Sequence, residues 1–343
     1  MLTAGPRRVN RYPEGVNKFQ ILSQHADSGY EVAWRVMTRA VLPFAALLAV
    51  AVLTIGGNPI ARPHVAGASA ACPTGASAGL SLNTMTSGGV QRSYRLYVPT
   101  SYDASSPLPM VLNLHGFSSN AWEQERYSGF VTIAEREGFI LVTPDGTGTP
   151  KRWYIYGKWE RGYVDDFAFV EDLIDEVSAS VCIDQSNIFA TGISNGAAMS
   201  SLLACKSDRI AAIGPVAGSP YSALLCRNAG PVPVIAFHGT DDALVPFDGG
   251  KGGRLGLPVA PVRDNMRDWA EHNGCDLTLQ TERIASDVVL ERYTGCDEDA
   301  DVLLYVIEGG GHTWPGARDI PWLGKTTQSI DASELIWTFF ESH

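Results

Sequence analysis

From residue 90 onward, apolar and polar positions fall into short blocks that switch between two periods. "RSYRLYV" (92–98) alternates residue by residue, as a strand buried on one face does. "PMVLNLH" (109–115) and "GFILVTP" (138–144) are unbroken apolar runs, which suit strands covered on both faces. Between them "SGFVTIAERE" has helical spacing. "DFAFVEDLIDEVSASV" (166–181) sets Phe169, Leu173, Ile174 and Val177 on one helical stripe. Strand patterns return in "NIFATG", "AAIGPVAG", "VPVIAFHG" and "DVLLYVIEG". Helical patterns return in "NGAAMSSLLAC", "VRDNMRDWAEHNG" and "ASELIWTFFESH". Such alternation predicts an α/β fold: one domain, a mainly parallel sheet, helices on both faces.

The first seventy residues follow another pattern. "AVLPFAALLAVAVLTI" (40–55) is apolar throughout, short for a membrane span and interrupted by Pro43. Arg35 and Arg39 precede it, and Ala68-Ser69-Ala70 offers a small-residue cleavage site. Residues 37–70 therefore read as a signal peptide starting at Met37, residues 1–36 as an extension or a wrongly assigned start, and 71–343 as the folded domain. The alternative is a membrane anchor through 40–55 that is never cleaved. The chain carries a net charge of −11; residues 1–70 hold seven basic and three acidic side chains, a net +4, which leaves about −15 for the rest. An acidic body repels nucleic-acid backbones and anionic lipid, so the expected partner is a neutral substrate of a secreted monomer.

Six cysteines follow the cleavage site, at 72, 182, 205, 226, 275 and 296. An even number in an exported chain suggests up to three disulfides, and Cys275 with Cys296 and Cys205 with Cys226 each flank a strand-like segment. There is no Cys-x-x-Cys, so no metal is expected.

"TGISNGAAMS" (191–200) holds Gly-x-Ser-x-Gly straight after an apolar run and before a helix of small residues. In a chain with 35 glycines the motif alone decides little, but a strand–turn–helix context is that of a nucleophile elbow with Ser194 at its apex. A serine hydroxyl needs a base. Among seven histidines His312 fits best, in a glycine-rich loop after the last strand pattern; His115 and His238 each end a strand before a glycine and suit structural roles. The base needs an acid to fix its tautomer. "FHGTDDALVPF" offers Asp242, with Asp241 as runner-up. The oxyanion of acyl transfer needs two N–H groups, which the backbones of Asn195 and of Phe117, in "LHGFSSN", are placed to give. No cofactor enters such a mechanism.

Together "LHGFSSN", "VTPDGTG", "VDDFAFVEDLIDEV", "IFATGISNGAAMS", "FHGTDDALVPFDGG" and "EGGGHTWPG" resemble the secreted poly(3-hydroxybutyrate) depolymerase and feruloyl esterase group of α/β-hydrolases, from about residue 90 to the end. The resemblance implies an α/β-hydrolase fold and a serine esterase with Ser194, Asp242 and His312 as its triad. The Gly-Thr-x-Asp-x-x-Val-Pro pattern selects Asp242 over Asp241. Asp241, Ala197 and Ala243 depart from the residues usual in the group.

Three features are read beside the triad. Of Asp165 and Asp166, one suits a helix N-cap. "RWYIYGKWERGY" (152–163) packs five aromatic residues into one loop; Trp153 and Trp159, with Trp314, are the expected substrate contacts, while the other use of such residues is to anchor the loop. "DEDAD" (297–301) imitates a calcium loop, but Val302 stands where glycine is needed, so it reads as a solvated hairpin turn. The alternatives to a polymer-directed esterase are a small-ester carboxylesterase and a non-catalytic exported binding protein on the same scaffold.

Overall fold

The computed structural model describes residues 72–343 apart from 74, 159, 219–225, 227–229 and 253–256. The proposed extension, signal peptide and anchor, and Trp159, lie outside the described residues. By backbone proximity the chain divides into residues 1–65 and 66–343, and the description concerns the second unit.

Its strands are β1 (Gly79–Ser87), β2 (Val90–Val98), β3 (Leu108–Leu114), β4 (Ile140–Pro144), β5 (Ile183–Ile193), β6 (Ala212–Val216), β7 (Val234–Gly239), β8 (Gly250–Gly252), β9 (Leu257–Val259), β10 (Gln280–Ala285), β11 (Val288–Tyr293) and β12 (Val302–Ile307). The helices are α1 (Ala121–Ser128), α2 (Phe130–Glu137), α3 (Asp166–Ser178), α4 (Asn195–Lys206), α5 (Val262–His272) and α6 (Ala332–Glu341). Ten strands form one sheet in the order β1-β2-β4-β3-β5-β6-β7-β12-β11-β10, and β8 pairs with β9. The strands from β4 to β12 in that order run parallel. An antiparallel pair closes each edge. The parallel strands need crossovers, and the helices between them cover both faces.

The apolar runs explain the layering. In β3, Met110, Leu112 and Leu114 belong to one buried cluster with Phe169, Leu173 and Ile174 of α3, Met199 and Leu203 of α4, and Trp269 of α5. Val111, which points the other way, packs with Phe130 and Ile133 of α2 and Ile336 and Phe340 of α6. The period-2 side-chain alternation of a strand thus feeds two cores.

Three disulfides join Cys72 to Cys182, Cys205 to Cys226 and Cys275 to Cys296. The third brackets a complete hairpin, β10 with β11, where the sequence indicated a single strand. "DEDAD" holds a short 3-10 turn between the antiparallel β11 and β12.

The acidic pair divides its labour. Asp165 caps α3 by accepting the Ala168 N–H at 3.0 Å. Asp166 is buried, accepting from Arg92 Nη2 at 2.6 Å and from the Tyr154 N–H at 2.7 Å. The Arg92 guanidinium also donates to the Asp145 carbonyl and lies 3.6 Å from the Phe169 ring centre. One ion pair therefore ties β2, α3 and the aromatic loop together. Removing one partner leaves the other charge buried alone, so Arg92→Met should lower unfolding stability by about 3–5 kcal/mol. Urea denaturation checks this, and Arg92→Met combined with Asp166→Leu should recover part of the loss.

Candidate active site

The elbow forms because backbone passes where side chains cannot fit. A Cβ on Gly196 would lie 2.2 Å from the Leu114 carbonyl oxygen, and one on Gly192 would lie 2.5 Å from it. Between these glycines Ser194 takes φ 59° and ψ −117°, a region side-chain-bearing residues avoid. Hydrogen bonds hold it there: its N–H donates to Val216 O at 2.9 Å, and its carbonyl accepts from Ala198 at 3.0 Å.

The chain leaving β3 passes against this turn. A Cβ on Gly116 would sit 3.5 Å from Ser194 Cβ, so the chain at Gly116 runs against the serine. Asn195 begins α4, and the first N–H groups of a helix have no partner within it. Asn195 follows Ser194 directly, and Phe117 follows Gly116 on the segment leaving β3. Side chains fix both. The Asn195 amide accepts the Trp153 N–H at 2.7 Å and donates to Trp153 O at 3.1 Å. Trp153 Nε1 donates to His115 O at 2.8 Å. His115 Nε2 accepts the Gly146 N–H at 2.9 Å, so its Nδ1 donates to Gly116 O at 2.7 Å. Burial pushes the His115 imidazole pKa down, which keeps that neutral tautomer. The Ser118 N–H donates to Lys151 O at 2.8 Å, while the Lys151 ammonium meets Asp145 at 2.9 Å.

β5, β6, β7 and β12 are neighbours, and register brings Ile193 beside Val216, Val216 beside Phe237 and Ile307 beside Gly239. The segments leaving β5, β7 and β12 therefore emerge on one edge, the carboxyl edge where α/β sheets hold their ligands. Asp242 Oδ2 lies 2.7 Å from His312 Nδ1. Its Oδ1 accepts the Leu244 and Val245 N–H groups, each at 2.8 Å. Asp241 meets this cluster only through its backbone, donating to Gly310 O. Nδ1 of His312 donates to the carboxylate, so in the neutral ring Nε2 is the basic nitrogen.

Burial works to raise the Asp242 pKa, but hydrogen bonds from His238 and His312 outweigh it and hold the carboxyl well below the ordinary range. His238 Nε2 lies 3.4 Å from Asp242 Oδ2 and 2.8 Å from Val245 O. His115 and His238 thus brace the loops on either side of the elbow.

The aromatic expectations need correction. Trp153 and Trp314 are each 1% exposed. The Trp153 indole is committed to His115, and Trp314 Nε1 donates to Ser333 Oγ at 2.9 Å with its ring edge-on to Phe130. They are interior anchors, drawn in by the cost of leaving an indole N–H unpaired and a large ring in water. Sequence reasoning missed Trp322, which is 83% exposed in a 3-10 turn at Pro321–Leu323. The available signal was an aromatic after proline in the loop following "GGGH". A cavity of about 520 Å³ opens among Asn83, Ser118, Trp122 and Lys151.

The family described as Esterase PHB depolymerase matches residues 92–226. Probable feruloyl esterase C of Aspergillus flavus is 32% identical over 231 residues, which cover 64% of this chain and 76% of that protein. Feruloyl esterase B of Piromyces equi is 29% identical over 226 residues, 62% of this chain but 41% of the relative. Among solved structures, an acetyl xylan esterase from Aspergillus awamori superposes with a TM-score of 0.53 at 18% identity, covering 68% of this chain and 94% of that one, a likeness of fold.

The depressed Asp242 pKa gives a pH signature. Its stabilisation is complete above the unfolded-chain value of about 4 and fades as pH falls toward the folded value. Asp242→Asn should therefore be less stable than wild type at neutral pH, with the gap closing in acid. Urea midpoints measured from neutral pH down to about pH 2.5 test this; a gap that widens in acid contradicts it.

Proposed function

Because the chain belongs to the poly(3-hydroxybutyrate) depolymerase and feruloyl esterase family of α/β-hydrolases, carboxylic ester hydrolases, we propose that Ser194, Asp242 and His312 are its catalytic triad and that feruloyl esters on polysaccharide are its substrates. The carrying observation is the Asp242–His312 contact at 2.7 Å, on loops that leave the same sheet edge as the strained Ser194 turn.

In this reading Ser194 Oγ attacks the ester carbonyl while His312 Nε2 takes its proton. Asp242 holds the imidazole in the required tautomer and stabilises the imidazolium. The N–H groups of Phe117 and Asn195 meet the oxyanion. His312 returns the proton to the departing alcohol. It then activates the water that frees the acid and restores Ser194 Oγ–H. The work is done by side chains and backbone N–H groups alone.

Feruloyl esters are preferred over polyester because the curated relatives compared above are named feruloyl esterases. Export is supported by the three disulfides, which persist in oxidising compartments.

A fluorophosphonate probe should label the wild type and not Ser194→Ala. Ser194→Ala should also lose at least about a thousandfold in kcat. Acid release from feruloylated arabinoxylan and from a poly(3-hydroxybutyrate) suspension, assayed in parallel, separates the substrate classes. Ferulate release alone is the expected result. Hydroxybutyrate alone would replace the feruloyl reading with the polyester one. Turnover by a folded Ser194→Ala protein would remove the triad.

A further inference from the structure

Trp322 does not behave as an indole should in a well-packed domain. Trp153 and Trp269 are buried almost completely, whereas Trp322 is 83% exposed. An exposed large aromatic is informative when its backbone is held firmly, because the exposure is then built in. Here it is. The Leu323 N–H donates to Ile320 O at 2.8 Å and closes the turn. The Leu323 carbonyl accepts the His312 N–H at 2.7 Å, and the Lys325 carbonyl accepts the Gly311 N–H at 2.9 Å. A Cβ on Gly311 would lie 2.2 Å from Leu323 O, so the two segments touch backbone to backbone. With about 3.8 Å between successive Cα atoms, the Trp322 Cα lies within about 9 Å of the His312 nitrogen.

The chemistry assigns a side of the ester to this ring. His312 gives its proton to the departing alcohol, so the alcohol half must lie toward the His312 loop. Trp322 is the exposed aromatic on the turn bonded to that loop. Arg318 and Asp319, both exposed, precede it in the same segment. They supply a donor and an acceptor on the segment that carries the ring. A sugar matches this set: its C–H face packs on an indole and its hydroxyls take both kinds of hydrogen bond. A polyester chain offers carbonyl acceptors between its ends and gives a carboxylate nothing to accept. The acidic chain, at −11, also disfavours an anionic polymer.

We propose that Trp322 is the stacking platform of a glycan subsite that holds a sugar ring of the alcohol half of the ester. The inference rests on the assignment of Ser194 and His312 made above. Trp322 would act by positioning the leaving group rather than in the proton transfers.

Calorimetric titration of the full chain carrying Ser194→Ala with an arabinoxylo-oligosaccharide free of ferulate tests it. Binding is expected, weakened about tenfold or more by added Trp322→Ala and largely kept with Trp322→Phe. In the otherwise wild-type enzyme, Trp322→Ala should lower the ratio of kcat/KM on a feruloylated oligosaccharide to kcat/KM on methyl ferulate by a similar factor. Absence of oligosaccharide binding, or equal binding by Trp322→Ala and its parent, overturns the proposal. So does loss of adsorption to polyester film in Trp322→Ala with oligosaccharide binding intact. The triad is judged separately, by fluorophosphonate labelling, so failure of the glycan subsite is told apart from failure of the triad on which it rests.

Discussion

Everything at the site follows from one crossing of backbones. The last carbonyls of β3 pass so close to the start of α4 that residues 192 and 196 can carry no side chain. The same passage brings Gly116 against the residue between them. Ser194 is thereby forced into a positive φ, a conformation costing about 1–3 kcal/mol that persists only where its surroundings leave no alternative. Parallel pairing to β6 and the first turn of α4 supply that surrounding. The strained turn at Ser194 and the segment bordering it are therefore products of one steric fact.

The loops around the crossing are held by polar side chains deep in the protein. Asn195 grips both backbone groups of Trp153, Trp153 reaches His115, and His115 spans from Gly116 to Gly146. Arg92 and Asp166 anchor the next residue, Tyr154. Each link uses a directional bond in a region of low dielectric, where a missing partner is costly. Such a network resists gradual displacement, as the proposed oxyanion donors would require.

How much of this could be read from the sequence depended on how local the cause was. The parallel strands were legible because burial on both faces leaves unbroken apolar runs, and Ser194 because its glycines lie within two positions of it. β10 was not. As an edge strand its residues are nearly all exposed, and "QTERIA" carries no apolar alternation. The roles of Trp153 and Trp322 were also illegible. An aromatic in a loop is equally compatible with interior and rim, and the difference is made by His115 in one case and by the turn against Gly311 in the other. Asp166 was half legible: its place beside a helix start was plain, its partner Arg92, on β2, was not.

The disulfides have a consequence for how the chain matures. Cys72 joins Cys182, Cys205 joins Cys226, and Cys275 joins Cys296, so the first cysteine pairs with the second, the third with the fourth and the fifth with the sixth. If the chain enters an oxidising space amino end first, each unpaired thiol meets its native partner as the next one to arrive. Oxidation in order of delivery then gives the native connectivity of the fifteen available to six cysteines, without shuffling by an isomerase. A chain released all at once from a denatured, reduced state loses that ordering and must find the same three bonds by exchange.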